Sequence, residues 1–275
     1  MIKKFSYLFI TLITTQFCCM AAIDDQEISL RLTPTVGDSY KENYYAELNV
    51  KQNTEEDKGV TVAVDLASQM LVADIDSEGN ITFAETINDL SVKSNLPQIN
   101  NCPFLAVFID AVKGKTMNLT MSPERQLMRI DGADEIAHEF LKNSGIAPVE
   151  LANGVTNQIN QFLLAHSDEF KIDTLTINVS EPVEKVITTP EGATASITTK
   201  CVSIDENYID TLHTVVCNFD DGVQNIRLNG SIKHCLERKS MLPHRMDAEL
   251  TLDISLPEQN NISVSCNIYY LSVKQ

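Results

Sequence analysis

Polar and apolar residues alternate along most of the chain from residue 28 onward. Over residues 28–96 the alternation falls into runs rich in β-branched and aromatic residues, each closed by Gly, Asp or Asn. Turns are predicted at 36–38 and 77–80, and a polar loop is predicted at 53–59. This pattern is typical of antiparallel strands, so we expect consecutive hairpins in the first third of the chain.

The spacing of apolar residues changes in the middle of the chain. Leu105, Phe108, Ile109 and Val112 follow one another at helical spacing. This spacing predicts a short helix over residues 103–113.

A hairpin is predicted over residues 115–130, with proline in the second position of its turn at 122–125. Asp131 then stands where it can cap a helix that ends at 143–145, and a further helix is expected to begin at Pro148. Two amphipathic helices need an apolar surface to cover them. We expect the flanking sheets to supply that surface.

Strand-like patterns return after residue 170, first at 171–179 and then, beyond a loop through Pro182, in five long runs. The five runs cover residues 194–204, 209–219, 224–236, 244–255 and 261–273. Short, turn-rich connections between runs of this length predict a meander.

Together these elements predict an α+β fold that is mostly antiparallel β. Five or more long antiparallel strands twist enough to curl, so we expect curved meander sheets that form a half-barrel or barrel. Two or three mid-chain helices should pack on its concave side. Residues 23–275 are expected to form a single β-rich domain. Its parts are an N-terminal β half at 23–132, a helical segment at 133–166 and a C-terminal meander half at 167–275.

Residues 1–22 have the pattern of a secretory signal peptide, with a basic pair at 3–4 before an apolar run. We therefore expect export to the periplasm, the outer membrane or the medium. A permanent membrane anchor is one alternative, although the run is short and contains polar residues. Lipidation at Cys18 or Cys19 is another, although a bulky Phe precedes Cys18. Residues 23–275 contain no further stretch that resembles a membrane span.

The chain is acidic, with 38 acidic and 21 basic residues and a formal net charge of −17. The two lysines of the leader are its only charged residues, so residues 23–275 carry a formal charge of −19. Such a surface repels phosphate backbones and anionic bilayers, and the chain contains no basic cluster. Nucleic acid is therefore not expected as a partner. Solubility is the simplest role of the excess charge.

Five cysteines follow the leader: Cys102, Cys201, Cys217, Cys235 and Cys266. Their odd number leaves at least one unpaired in an oxidising compartment. Hairpin register places Cys201 opposite residue 212 and Cys217 near residue 227, so neighbouring strands do not bring two cysteines together. Buried thiols, or links between distant strands, are therefore favoured.

No catalytic, cofactor-binding or metal-ligating residue is predicted, and no cofactor is expected. Glu135 and His138 share a helical face, but carboxylate-bridged metal sites need a second copy of this motif. His213 and Cys217 share a strand face, but four residues along a strand span about 13 Å. Asp110 has no acidic partner near it in sequence. The chain also lacks a nucleophile-elbow motif and has no Trp for a sugar platform.

Two stretches carry a resemblance to a known family. The first is Gly37-Asp38-Ser39-Tyr40 at the entry to a long strand. The second runs from Gly114-Lys115 to Met121 and continues with Ile130, Gly132, Asp134 and Glu135 before the helices. In these features the chain resembles a family of uncharacterised exported bacterial proteins, a domain of unknown function.

The resemblance implies an initial strand, a mid-chain hairpin leading into helices and a final β-meander, and it implies no activity for any residue. This chain departs from the family at 123–125, where a glycine-containing turn is expected. At the level of the fold, a curved antiparallel sheet that cradles helices is also similar to periplasmic lipoprotein carriers.

We therefore expect a non-enzymatic envelope protein that binds a hydrophobic or lipid-like ligand in an apolar groove between sheet and helices. Met121, Met128, Phe140 and Phe162 are expected to add apolar surface to this groove. The alternatives are a structural module that binds another envelope protein, and a hydrolase with an unrecognised site.

Overall fold

The computed structural model describes residues 23–24, 27–29, 31–52, 59–145, 176–188, 194–220, 225–255 and 261–275. Its helices are α1 (Pro97–Asn100), α2 (Pro103–Val112) and α3 (Ala133–Ser144). Its first seven strands are β1 (Ile23–Asp24), β2 (Glu27–Ser29), β3 (Ser39–Gln52), β4 (Val60–Ile75), β5 (Ile81–Ser94), β6 (Thr116–Met121) and β7 (Leu127–Asp131). The others are β8 (Thr176–Asn178), β9 (Val183–Thr188), β10 (Thr194–Ile204), β11 (Tyr208–Asp220), β12 (Asn225–Glu237), β13 (Pro243–Ser255) and β14 (Ile262–Lys274).

Eleven of the described strands form one antiparallel sheet in the order β7-β6-β5-β4-β3-β14-β13-β12-β11-β10-β9. Strands β3 to β7 form one meander and β9 to β14 form another. The two meanders meet where β3 pairs with β14, with Leu48 opposite Cys266. The sheet is not closed into a barrel, because β7 and β9 remain at its two edges. Strands β1, β2 and β8 form a small separate sheet.

The large sheet has one apolar and one polar face, because side chains alternate along each strand. A row of directly paired residues on the apolar face consists of Val62, Leu48, Cys266, Leu250, Gly230, Val215 and Ile197. The adjacent row on the polar face consists of Thr61, Asn49, Ser265, Thr251, Asn229, Val216 and Ser196. At Gly230 the Leu250 side chain occupies the space, and an added Cβ would lie 2.3 Å from Leu250 Cδ2.

The sheet curls so that its apolar face is concave. Six strand-to-strand steps separate β6 from β12, which would be about 29 Å in a flat sheet. Nevertheless, Arg125 in the β6–β7 turn donates a hydrogen bond to the carbonyl oxygen of Met241 in the β12–β13 turn, at 2.6 Å. The backbone N–H of Leu32 bonds Pro123 O at 2.9 Å and that of Thr33 bonds Ser240 O at 3.0 Å. The 31–33 segment therefore links these two turns and covers one end of the concave face.

Two helices pack on the concave face beside β5. Ile87 of β5, Val112 of α2 and Ile136 of α3 form one buried cluster. Phe108 and Phe140 join the two helices edge to face, with ring centroids 6.0 Å apart. The predicted packing of mid-chain helices on a curved antiparallel sheet is thus confirmed for α2 and α3. The helix expected from Pro148, the predicted signal peptide at 1–22 and Phe162 lie outside the described residues.

Several local expectations were wrong. The first alternating run, predicted as a strand over residues 28–34, is a strand only at its start in β2, and the backbone N–H groups of Leu32 and Thr33 bond to the two turns instead of to a neighbouring strand. Strand β9 and helix α1 were not predicted. Asp131 does not cap α3, which starts after Gly132 at φ 89°; its carboxylate instead accepts a bond from Arg129 Nε at 2.8 Å. Glycine is needed there because a Cβ would lie 2.7 Å from Thr116 O.

The cysteines and the 122–125 turn also depart from expectation in detail. Cys201 lies opposite Thr211 because a bulge follows it in β10, and Cys217 lies opposite Leu228. All five cysteines of the described residues are free thiols. In the turn, Arg125 has φ 70°, so arginine holds the left-handed conformation that favours glycine. Its buried bond to Met241 O accounts for arginine at this position.

Candidate functional site

The apolar face is covered unevenly. On β12 and β13 its large side chains are almost fully buried, as at Leu228 and Leu250. On β3 and β4 the corresponding side chains are only half-buried. We call these residues the aliphatic strip: Tyr44, Ala46, Leu48 and Val50 of β3 with Val62, Val64 and Leu66 of β4. The strip is therefore the part of the concave face that still offers apolar surface to solvent.

A group of polar side chains interrupts the apolar face next to the strip. We call it the carboxyl patch: Glu42, Ser68, Glu85, Tyr270 and Ser272. The Tyr270 hydroxyl donates a hydrogen bond to Glu42 Oε1. The Ser68 hydroxyl donates to Glu42 Oε2 at 3.3 Å. Ser272 lies directly opposite Glu42 in register. Four strands, β5, β4, β3 and β14, thus bring two carboxyl groups and three hydroxyls together.

Burial changes the acidity of both carboxyl groups. Desolvation raises the pKa of Glu42 from 4.5 to about 7, and the charge of Glu85 adds to this rise against the hydrogen bonds from Tyr270 and Ser68. Desolvation likewise raises the pKa of Glu85. Removing a carboxylate from water disfavours its charged form. Near neutral pH, Glu42 is therefore close to half protonated, and a change in its surroundings can alter its charge.

A second polar group lies on the same face, on β10 to β12. We call it the imidazole patch: Thr199, Thr211, His213 and His234. The His213 ring bonds Thr199 Oγ1 at 2.8 Å through Nδ1 and Thr211 Oγ1 at 3.1 Å through Nε2. The His234 ring lies edge to face against it at 5.0 Å. Neither nitrogen of His234 has a hydrogen-bond partner among the described residues.

The two imidazoles are held neutral. Desolvation lowers the pKa of His213 from 6.5 to about 4. It also lowers the pKa of His234 well below 6.5, with smaller contributions from His213 and Arg125. A buried imidazolium would lose its hydration without gaining a carboxylate partner. At neutral pH this patch is therefore uncharged.

The residues singled out from the sequence are scattered. Met121 packs against the cluster around Phe83, and Phe140 packs on Phe108. Met128 lies on the edge strand β7 and is 48% exposed. It therefore does not line the concave face together with Met121 and Phe140.

The chemical motifs are not assembled into a site either. Glu135 and Asp110 are exposed on their helices. His213 contacts His234 on the neighbouring strand rather than Cys217. Within the described part of the chain, no group of three or more His, Cys, Asp or Glu side chains is arranged to hold a metal ion. No helix among the described residues has the length and apolarity needed to cross a bilayer.

The carboxyl patch was not predicted from the sequence, although the sequence contains a signal for it. In β3 the inward positions are Tyr40, Glu42 and Tyr44, and in β5 they include Phe83 and Glu85. Strict alternation therefore places both acids on the apolar face. The approach of these two strands to Tyr270 of β14 depends on pairing across the whole chain, for which local sequence gives no signal.

Comparisons with known proteins support the fold. No family model matches the chain and no curated protein matches it, in keeping with its resemblance to an uncharacterised family. Among solved structures, the chain is similar to one described as lipid-protein interactions in lipovitellin, with a TM-score of 0.55 and 10% sequence identity. The match covers 88% of this chain but only 26% of the lipovitellin chain, so this chain spans about a quarter of lipovitellin. At this identity the likeness shows the fold alone.

Two other solved structures match less well. DynF from the dynemicin biosynthesis pathway of Micromonospora chersina has a TM-score of 0.24 and 6% identity over 92% of this chain and 88% of DynF. An outer-membrane channel of Pseudomonas putida F1 has a TM-score of 0.21 and 8% identity over 88% of this chain and 98% of the channel. These scores are too low to support an argument.

Proposed function

We propose that this protein is a non-enzymatic binding protein for a lipid-like molecule, whose apolar part lies on the aliphatic strip. We further propose that the leader directs it to the cell envelope and that residues 23–275 act there as one domain. The N-terminal sequence supports the first of these additions, and the sheet shared by the two meanders supports the second.

The observation that carries the proposal is the contrast between the two faces of one sheet. The row of Val62, Leu48 and Cys266 is apolar, whereas the adjacent row of Thr61, Asn49 and Ser265 is polar. An apolar surface left half-exposed on β3 and β4 costs free energy in water, roughly 25 cal/mol for each Å². Covering it with an acyl chain recovers that free energy.

The fold comparison supports the same ligand class. A solved structure with a similar fold concerns lipid–protein interactions in lipovitellin. A fold can host different functions, so the likeness adds weight only because the aliphatic strip is present on this chain's own concave face.

Binding of a fluorescent fatty acid and a fluorescent phospholipid to delipidated protein tests the proposal. The discriminating variant is Val64→Gln, which places an amide on the aliphatic strip. We expect it to weaken lipid binding roughly three- to tenfold, since full burial of a valine side chain contributes roughly 1.5 to 3 kcal/mol and Val64 is already half-buried.

Ala63→Gln is the matched control, because Ala63 is the preceding residue of β4 and faces the polar side. It should leave the affinity unchanged. Failure of the delipidated protein to bind either probe, or equal loss in both variants, would contradict the proposal.

A further inference from the structure

The carboxyl patch contains an unused hydrogen-bonding group. The Ser272 side chain is 1% exposed, and its hydroxyl lies close enough to the Tyr270 hydroxyl to influence the pKa of Tyr270, but it forms no hydrogen bond of acceptable geometry with any described residue. It lies on β14 directly opposite Glu42. A buried polar atom without a partner loses its hydration without compensation, so such atoms call for an explanation. A ligand atom bound beside Glu42 would supply one.

The two carboxyl groups of the patch also lack a basic side chain as a partner among the described residues. Within the described part of the chain, no lysine or arginine forms an ion pair with Glu42 or Glu85. Lys274, two residues beyond Ser272, instead pairs with Asp38 at 2.7 Å. Two neighbouring carboxyl groups repel an anionic ligand and attract a cationic one. Their oxygen atoms retain free lone pairs, because an ionised carboxylate can accept about four hydrogen bonds.

The position of the patch relative to the aliphatic strip fits an elongated molecule. Glu42 is followed on the same face of β3 by Tyr44, Ala46, Leu48 and Val50. The eight residue-to-residue steps from Glu42 to Val50 span about 26 Å along the strand. A molecule with a polar head at Glu42 can therefore place an extended tail along the whole strip.

We infer that the carboxyl patch binds the primary ammonium head of an amphiphile whose alkyl tail lies along the aliphatic strip. A primary ammonium carries three N–H donors. The patch offers three matching acceptors in Glu42, Glu85 and the Ser272 hydroxyl. A bare divalent metal is a poorer match, since Ca²⁺ takes six to eight oxygen ligands. This inference rests on the proposed function and adds the chemistry of the head group.

The test compares three probes with one tail, dodecylammonium, dodecanol and dodecanoate, titrated calorimetrically into the delipidated protein below their aggregation concentrations. We expect dodecylammonium to bind at least about tenfold more tightly than dodecanol, because hydrogen bonds to charged groups are stronger than those between neutral groups. Dodecanoate should bind more weakly than dodecanol. Ammonium chloride alone should give no binding signal.

The variants then locate the head group. Glu42→Gln combined with Glu85→Gln should abolish the preference for dodecylammonium while dodecanol still binds. Glu85→Gln alone, at a less buried position, should reduce it, and Ser272→Ala should reduce it less. Glu47→Gln is the matched control, since Glu47 lies on the polar face of the same strand. It should leave the preference intact.

The possible outcomes distinguish a failure of the head-group inference from a failure of the proposed function. Equal binding of dodecylammonium and dodecanol by the unaltered protein would overturn the head-group inference and leave the proposed function standing. A preference that survives in the doubly substituted variant would also overturn it. Absence of binding by all three probes would overturn both.

Discussion

The carboxyl patch and the imidazole patch lie on the same face of the same sheet, but burial shifts the pKa values of their side chains in opposite directions. Desolvation raises the pKa of Glu42 to about 7 and lowers that of His213 to about 4. In each case the neutral form is favoured. The consequence at neutral pH differs, because the imidazoles are fully uncharged there whereas Glu42 is close to its midpoint.

The surroundings of the two patches differ as well. His234 lies near Arg125, the residue whose bond to Met241 joins two turns across the concave face. The carboxyl patch instead adjoins the half-buried residues of the aliphatic strip, with Tyr44 two positions from Glu42. The imidazole patch is thus part of the packed end of the molecule. The carboxyl patch is the one that adjoins the half-exposed apolar surface on which we propose that a ligand binds.

The two largest expected effects are similar in size and opposite in sign, and the first concerns His213. Its pKa is lower in the folded state than in the unfolded state, so acidification protonates the unfolded chain first. The stability it contributes is present above pH 6.5 and is lost as the pH falls towards 4, by about 3 kcal/mol. His213→Gln should remove this loss. Urea unfolding at pH 7 and pH 4 measures the free energy of unfolding at each pH. The difference between the two values should be smaller in His213→Gln than in the unaltered protein.

The absolute stability of His213→Gln can differ at both pH values, because the amide replaces two bonds to threonines. Only the change between the two pH values tests the assignment. An unchanged acid dependence would mean that His213 is not held neutral by burial.

Glu42→Gln should act in the opposite direction. The pKa of Glu42 is raised in the folded state, so its contribution to stability is present below pH 4.5 and is lost as the pH rises through 7. Relative to the unaltered protein, the variant should gain about 3 kcal/mol between pH 4.5 and pH 8. Denaturant unfolding across this range checks it. A gain in stability that appears on acidification instead would mean that the pKa of Glu42 is lowered, not raised, in the folded state.

A smaller effect is expected for Tyr270→Phe, which removes the hydroxyl that donates to Glu42. Hydrogen bonds to charged groups are stronger than those to neutral groups, and Glu42 is charged at pH 8 but protonated at pH 5. The free energy of unfolding should therefore fall by about 2 kcal/mol at pH 8 and by about 1 kcal/mol at pH 5. Tyr45→Phe is the matched control. Its hydroxyl donates to Glu47 at 2.9 Å on the polar face, and the change should stay within about 0.5 kcal/mol. Equal losses in the two variants would contradict the role of the patch.

Much of the fold could be predicted from local sequence, because long alternating runs such as 244–255 specify both a strand and its two faces. The pairing of β3 with β14 could not, since it joins residues more than 200 positions apart. Strand β9 was missed because it is short and lies between Pro182 and a second turn-rich stretch. The Arg125 turn was unexpected because its left-handed residue is stabilised by a tertiary bond to Met241.

The candidate site could likewise be predicted from the sequence only in part. The inward direction of Glu42 and Glu85 follows from alternation and was available in the sequence. Their association with Ser68, Tyr270 and Ser272 was not available, because it requires the order of four strands. The half-burial of Leu48, compared with the full burial of Leu250, likewise depends on how the sheet curls.

The most direct test of the account is to map where a bound alkyl chain lies. A dodecanol analogue with a photoreactive diazirine in its tail can be cross-linked to the delipidated protein and located by peptide mass spectrometry. If the alkyl chain lies on the aliphatic strip, cross-links should form at Leu48, Val62 and Val64 on the concave face. Cross-links concentrated on the polar face, at Asn49 and Thr61, would contradict it.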